Sequence, residues 1–154
     1  KKGKNKKAQM KLSFGMIFSI ILIIVFIAFA VWGIMNLLDT TDKIKRDKFA
    51  DDLNDHVEDV WKSSSGESTK KYTISKDVDK VCFVNDNTQD NLKLKKQRDE
   101  GGYKTINRYT IKHLDEEKTT NNKAEMCIEN INNEIRLILK KEERNPEVII
   151  KKAE

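Results

Sequence analysis

Hydrophobic and polar positions fall into three regimes along this chain. From Leu12 to Leu38, 27 consecutive residues carry no charge and 17 of them are Leu, Ile, Phe or Val. From Ile44 onward the apolar residues thin out to Phe49, Leu53, Val57, Val60 and Trp61, with Asp and Lys between them. That three-to-four spacing marks one apolar stripe on a helix. No Pro or Gly separates the two regimes, so the pattern predicts one helix continuing to about Lys62. The Ser-rich KSSSGEST stretch then ends it as a loop. Beyond it the period drops to two, as in strands.

The beta-patterned segments are short. YTISKDV alternates at Tyr72, Ile74 and Val78, and Val81–Val84 is a fully apolar run. A polar stretch ending in Gly101-Gly102 predicts a loop around a short LKL strand. KTINRYTIKHL reads as a strand with Ile106 and either Ile111 or Tyr109 facing inward. DEEKTTNNK reads as a solvated loop. MCIENINNEIRLILKK predicts two strands around Asn132-Asn133, a pair that tolerates the positive φ of a tight turn. EVIIKK supplies a last strand after Pro146. The expected fold is therefore α+β, a long N-terminal transmembrane helix continuing into an amphipathic half, followed by a small, mostly antiparallel sheet. The segments are a basic tail (1–11), a transmembrane helix (12–38), an amphipathic helical stalk (39–62) and a β-rich domain (63–154).

The apolar run is the most informative feature. At roughly −0.3 to −0.6 kcal/mol per residue, its 17 strongest members favour insertion by about 5–10 kcal/mol. A cleaved secretory signal has an apolar core of only about 7–15 residues. As a helix the run is about 40 Å long against about 30 Å of hydrocarbon, so it must tilt or project. Trp32 suits one membrane interface and Lys11 the other. Gly15 and Ser19 form a small-xxx-small pair that would let another helix approach closely.

Charge changes the picture once it is located. The chain holds 30 Lys and Arg against 25 Asp and Glu. Six lysines, Lys1, Lys2, Lys4, Lys6, Lys7 and Lys11, precede the apolar run, and every acid follows it. From Asp39 on, 24 basic residues face 25 acidic ones, a net of −1. The basicity belongs to the tail. A nucleic-acid-binding domain needs a basic face of its own, so no nucleic-acid partner is expected. The lysine-rich end stays in the cytoplasm by the positive-inside rule, which places the C-terminal domain outside the plasma membrane. The chain opens on Lys rather than Met, so the tail charge is read as a minimum.

Cys82 and Cys127 each sit centrally in a predicted strand between apolar neighbours. Outside the cytoplasm they are expected to form a disulfide, the alternative being two free thiols packed as small core residues. Two separated Cys and two separated His lack structural-zinc spacing, so neither a metal nor any cofactor is expected. His56 lies among carboxylates on the amphipathic helix and reads as part of a solvated charge cluster. His113 has no nameable partner. GESTKK and GGYK are too short for a phosphate loop, and no hydrolase or metalloprotease motif occurs. No catalytic residue is assigned, and an enzyme is not expected.

An apolar N-terminal helix running straight into an amphipathic half and a small sheet resembles the type IV pilin-like architecture. The junction Lys6-Lys7-Ala8-Gln9 resembles the archaeal class III prepilin signal. That resemblance implies a membrane peptidase cutting between Ala8 and Gln9. Filament-forming members often carry Glu at the fifth mature position, where this chain has Ser13. Lys11 would stand third, a charge costly in a filament core. The resemblance therefore implies a pilin-like protein retained in the bilayer. The expected partners are the lipid bilayer and other membrane or cell-surface chains. The expected role is structural or recognitional display at the cell surface. The rivals are an accessory subunit of a larger membrane complex and a filament subunit.

Overall fold

The computed structural model describes residues 14–86 and 88–153. Helix α1 (Phe14–Lys62) is followed by β1 (Gly66–Thr73), β2 (Lys80–Val84), β3 (Leu92–Gln97), β4 (Tyr103–Tyr109), helix α2 (Glu116–Thr120), β5 (Glu125–Glu129), β6 (Glu134–Lys141) and β7 (Val148–Lys152). The layout is α+β, as the hydrophobic pattern predicts. The chain divides after Asp39 into two units, the second running from Thr40 to the end.

In the second unit the strands form two sheets rather than one, in the orders β1-β6-β7 and β4-β3-β2-β5. Every pair of neighbouring strands is antiparallel. The core is where the outer half of α1 meets both sheets. Phe49, Leu53 and Val57 repeat every four residues, so they share one stripe and are buried together. Tyr72, Ile135, Leu137, Leu139, Val148 and Ile150 reach them from the first sheet. Val81, Phe83, Leu92, Leu94 and Ile128 reach them from the second. Segment 40–62 is thus a core element of this unit. Burying each of its large apolar side chains stabilises the fold by roughly 1.5–3 kcal/mol before entropy is counted.

Polar contacts fix the helix along its length. Ser75 Oγ donates to Asp42 at 2.9 Å, and Tyr109 donates its hydroxyl proton to Asp47 at 2.7 Å. Arg46 forms an ion pair with Asp77. The Lys112 amide donates to Asn54 Oδ1 at 3.0 Å. At the helix C-terminus, where the last carbonyls lack helical partners, Lys141 Nζ donates to the carbonyls of Trp61 and Ser63. Buried Asn91 pins the segment after β4, donating to the Ile111 carbonyl at 2.9 Å and accepting from its amide at 2.7 Å.

Five local readings need correction. Gly66–Thr69, expected as loop, belongs to β1, because an eight-residue register with β6 outweighs a Ser- and Gly-rich composition. DEEKTTNNK contains α2, capped by Asp115, whose side chain accepts from the Lys118 amide; Asn121 closes it in the left-handed region. Thr119 and Thr120 are buried there. Asn132 and Asn133 do take positive φ, 56° and 61°. However, the two arms of that turn enter different sheets, β5 pairing with β2 and β6 with β1 and β7. Finally, Ile74 and Val78, expected on a strand, are buried in the loop between β1 and β2, and β4 carries a bulge at Ile106, since Leu94 and Lys95 pair with Asn107 and Thr105.

Candidate functional site

The first candidate surface is the apolar length of α1. Every large apolar side chain from Met16 to Leu38 is 40–69% exposed, with no side of the helix covered. This is one helix long and apolar enough to cross a membrane. An exposed apolar surface of this length has no stable place in water, so the residues are suited to a lipid environment. Trp32 lies within it, exposed. Val25, Ala28, Phe29 and Trp32 line a shallow notch where the small side chain of Ala28 leaves room. Gly15 and Ser19 are both exposed, and Ser19 Oγ donates to the Gly15 carbonyl at 2.8 Å. The hydroxyl is therefore satisfied inside its own helix. The tail positions Ala8, Gln9 and Lys11 lie outside the described residues.

The second is the outer face of the four-stranded sheet. Cys82 and Cys127 are joined in a disulfide across directly paired positions of β2 and β5. They do not occupy equivalent environments. Cys82 is fully buried, whereas Cys127 is exposed on edge strand β5, where Met126 and Ile128 turn inward and Cys127 turns out with Glu125 and Glu129. The expected disulfide is present, and the alternative of two free thiols packed as core residues does not hold. Lys93 stands directly opposite Cys82 on β3, and Lys95 reaches diagonally to Glu125 at 2.6 Å. A Glu125 carboxylate oxygen lies within 4.8 Å of both sulfurs. With the sulfurs bonded to each other, neither is a thiolate, and thiolate is the form that ligates metals. Lys93 also pairs with Asp86 at 2.5 Å. That hydrogen bond first, then one from Thr88, holds the Asp86 carboxyl down at about 2.

The third is a groove between α1 and β1, an edge strand of its sheet. Lys45, Lys48, Asp52, His56, Lys71, Tyr72 and Thr73 line about 360 Å³ of it. His56 lies among these charges and is also held by an aromatic partner. Its Nδ1 lies 3.0 Å from the Tyr72 hydroxyl, and the rings meet edge to face. Burial, and then the nearby Asp52 charge, push the Tyr72 phenol far above its usual range, keeping it neutral. His113 does have a partner. Its ring stacks on Trp61, centroids 3.8 Å apart and planes within 10°. Sequence spacing gave no sign of this stack, which joins positions far apart in the chain.

Among the described residues these arrangements are an apolar span, a cross-strand staple and two aromatic-histidine contacts. No known protein family, no curated protein sequence and no solved structure matches the chain.

Proposed function

We propose that this protein is a single-pass, membrane-anchored cell-surface protein, structural or interacting in role, that displays its second unit outside the plasma membrane. One observation carries the reading. The helix leaves its apolar side chains exposed all round up to Leu38, while the unit that follows buries most of its own. A bilayer is the environment that satisfies the first without disturbing the second. The six lysines ahead of the apolar run hold the N-terminus on the cytoplasmic side. The disulfide fits an oxidising compartment. The Lys6-Lys7-Ala8-Gln9 junction and the helix-then-sheet layout support a pilin-like lineage of archaeal type. Protease added to intact cells tests the topology: digestion of the Thr40–Glu154 unit is expected, and its full protection overturns the reading.

The notch at Ala28, between Val25, Phe29 and Trp32, favours a second reading, in which another membrane helix packs there and the chain is an accessory subunit of a larger complex. Purification in mild detergent separates the two. Co-purifying chains in fixed ratio support the complex, and a lone chain excludes it.

A further inference from the structure

Among the described residues of the second unit, three large apolar side chains are exposed: Ile44 at 60%, Ile131 at 64% and Tyr103 at 42%. All three lie at one end of the unit, the end at which α1 enters. Ile44 is in the first turns of α1 after Thr40. Asp42, two residues before it, binds Ser75, and the Ser75–Asp79 loop in turn carries the Ile131 turn. There Asn130 Nδ2 donates to the carbonyls of Ser75 and Val78, its amide donates to the Asp79 carbonyl at 2.9 Å, and the Ile74 amide donates to the Asn133 carbonyl at 2.9 Å. Asp79 also accepts from the amide of Gln97, the cross-strand partner of Tyr103, and Lys80 sits over the Tyr103 ring at 4.3 Å. The acids of this rim, Asp42, Asp77 and Asp79, are turned to Ser75, Arg46 and Gln97. Lys43, Lys45 and Lys76 are exposed, as are Asp99 and Glu100 in the turn beside Tyr103.

We infer that this rim, Ile44, Tyr103 and Ile131 among exposed lysines, lies in the lipid headgroup layer rather than in water. The inference rests on the membrane-anchored reading. Its occupant is fixed by chain continuity: Ile44 stands only six positions after Leu38, the last of the uncharged run. Whatever direction the chain takes, Ile44 stays within about 20 Å of the end of that run. Tyrosine beside lysine is the composition that the bilayer interface selects, the two isoleucines gain by leaving water, and the lysines match anionic headgroups. Among the described residues no comparable trio is exposed at the other end of the unit, beyond Lys141.

The test uses the full-length, disulfide-intact chain in vesicles of phosphatidylcholine and phosphatidylglycerol. A spin label is placed at one engineered cysteine at a time: Phe26→Cys, Ile44→Cys, Ile131→Cys or Glu143→Cys. All four positions are exposed, and Glu143 lies past the far end of β6 from Ile131. The expected result is that labels at 44 and 131 collide severalfold less with a water-soluble nickel chelate than the label at 143, and more with oxygen. Equal nickel access at 131 and 143 overturns the inference. Protection from both relaxers at 131 also overturns it, since protein then covers the rim. The label at 26 reports separately on the anchor: a water-exposed signal there removes the membrane reading itself, whereas a lipid signal there with exposed 44 and 131 removes only the rim.

Discussion

Asp42 on α1 accepts a hydrogen bond from the hydroxyl of Ser75, 33 residues further along the chain, and Ser75 is fully buried. The contact ties the beginning of the amphipathic helix to the loop between β1 and β2. Ser75→Ala removes the donor and leaves a half-buried carboxylate with one partner fewer. A loss of about 1–3 kcal/mol is expected, read from denaturant unfolding at neutral pH. An unchanged midpoint would show that the contact contributes nothing.

The buried stripe on the same helix gives a larger effect. Leu53→Ala should cost about 2–5 kcal/mol, because Leu53 is fully buried among both sheets. Exposed Asp55→Ala, two residues on, should change stability by less than about 0.5 kcal/mol. Comparing the two by thermal unfolding distinguishes a core helix from a mere spacer. Equal, small effects would mean that the sheets fold without it.

Asn91 makes a reciprocal pair with the backbone of Ile111. Asn91→Ala strands a buried amide and carbonyl together and should cost about 2–4 kcal/mol, from roughly 1–3 per stranded group with partial relaxation. Hydrogen exchange at the Ile111 amide should accelerate first. Retained protection there would contradict the assignment.

The disulfide closes a separation of 45 residues. Replacing both Cys82 and Cys127 by Ala should lower stability by about 4 kcal/mol at most on the chain-entropy estimate. Because Cys127 is exposed on an edge strand, the bond is accessible to reductant in the folded protein. Thiol alkylation after mild reduction without denaturant checks this. A bond that is cut only after unfolding would contradict that accessibility.

Asp86 gives the pH prediction. Its carboxyl is depressed from 3.8 to about 2 by hydrogen bonds from Lys93 and then Thr88. A depressed carboxylate contributes stability above its unfolded value, and that contribution fades as pH falls through the folded value. It should therefore be present above about pH 4 and lost between there and about pH 2. Lys93→Met should return the Asp86 midpoint, followed by carboxyl NMR, toward 3.8. An unmoved midpoint would rule out Lys93 as the cause.

Much of this architecture was legible because some signals are local. Seventeen strong apolar residues without a charge admit few alternatives to a long exposed helix, and Phe49, Leu53 and Val57 at four-residue intervals fix which side of its continuation is buried. The Asn132-Asn133 turn was visible for the same reason, since positive φ is a property of two residues. Which strands those arms join was not, because a tight turn reverses the chain without choosing the edge it returns to. α2 was hidden by its polar composition; the burial of Thr119 comes from β7, whose Ile150 amide donates to the Thr119 hydroxyl. The cysteine pairing was readable from the count and from the compartment that the charge asymmetry led one to expect. The outward-facing placement of Cys127 was not, because it depends on β5 being an edge strand. The stack of His113 on Trp61 joins residues 52 positions apart and left no trace in spacing.

The claim that supports the rest is that the exposed apolar helix from Met16 to Leu38 lies in lipid. Alkaline washing of membranes from cells expressing the full chain, followed by ultracentrifugation, tests it most directly. The account predicts that the chain stays in the membrane pellet and is released by detergent. Recovery in the alkaline supernatant without detergent would contradict it.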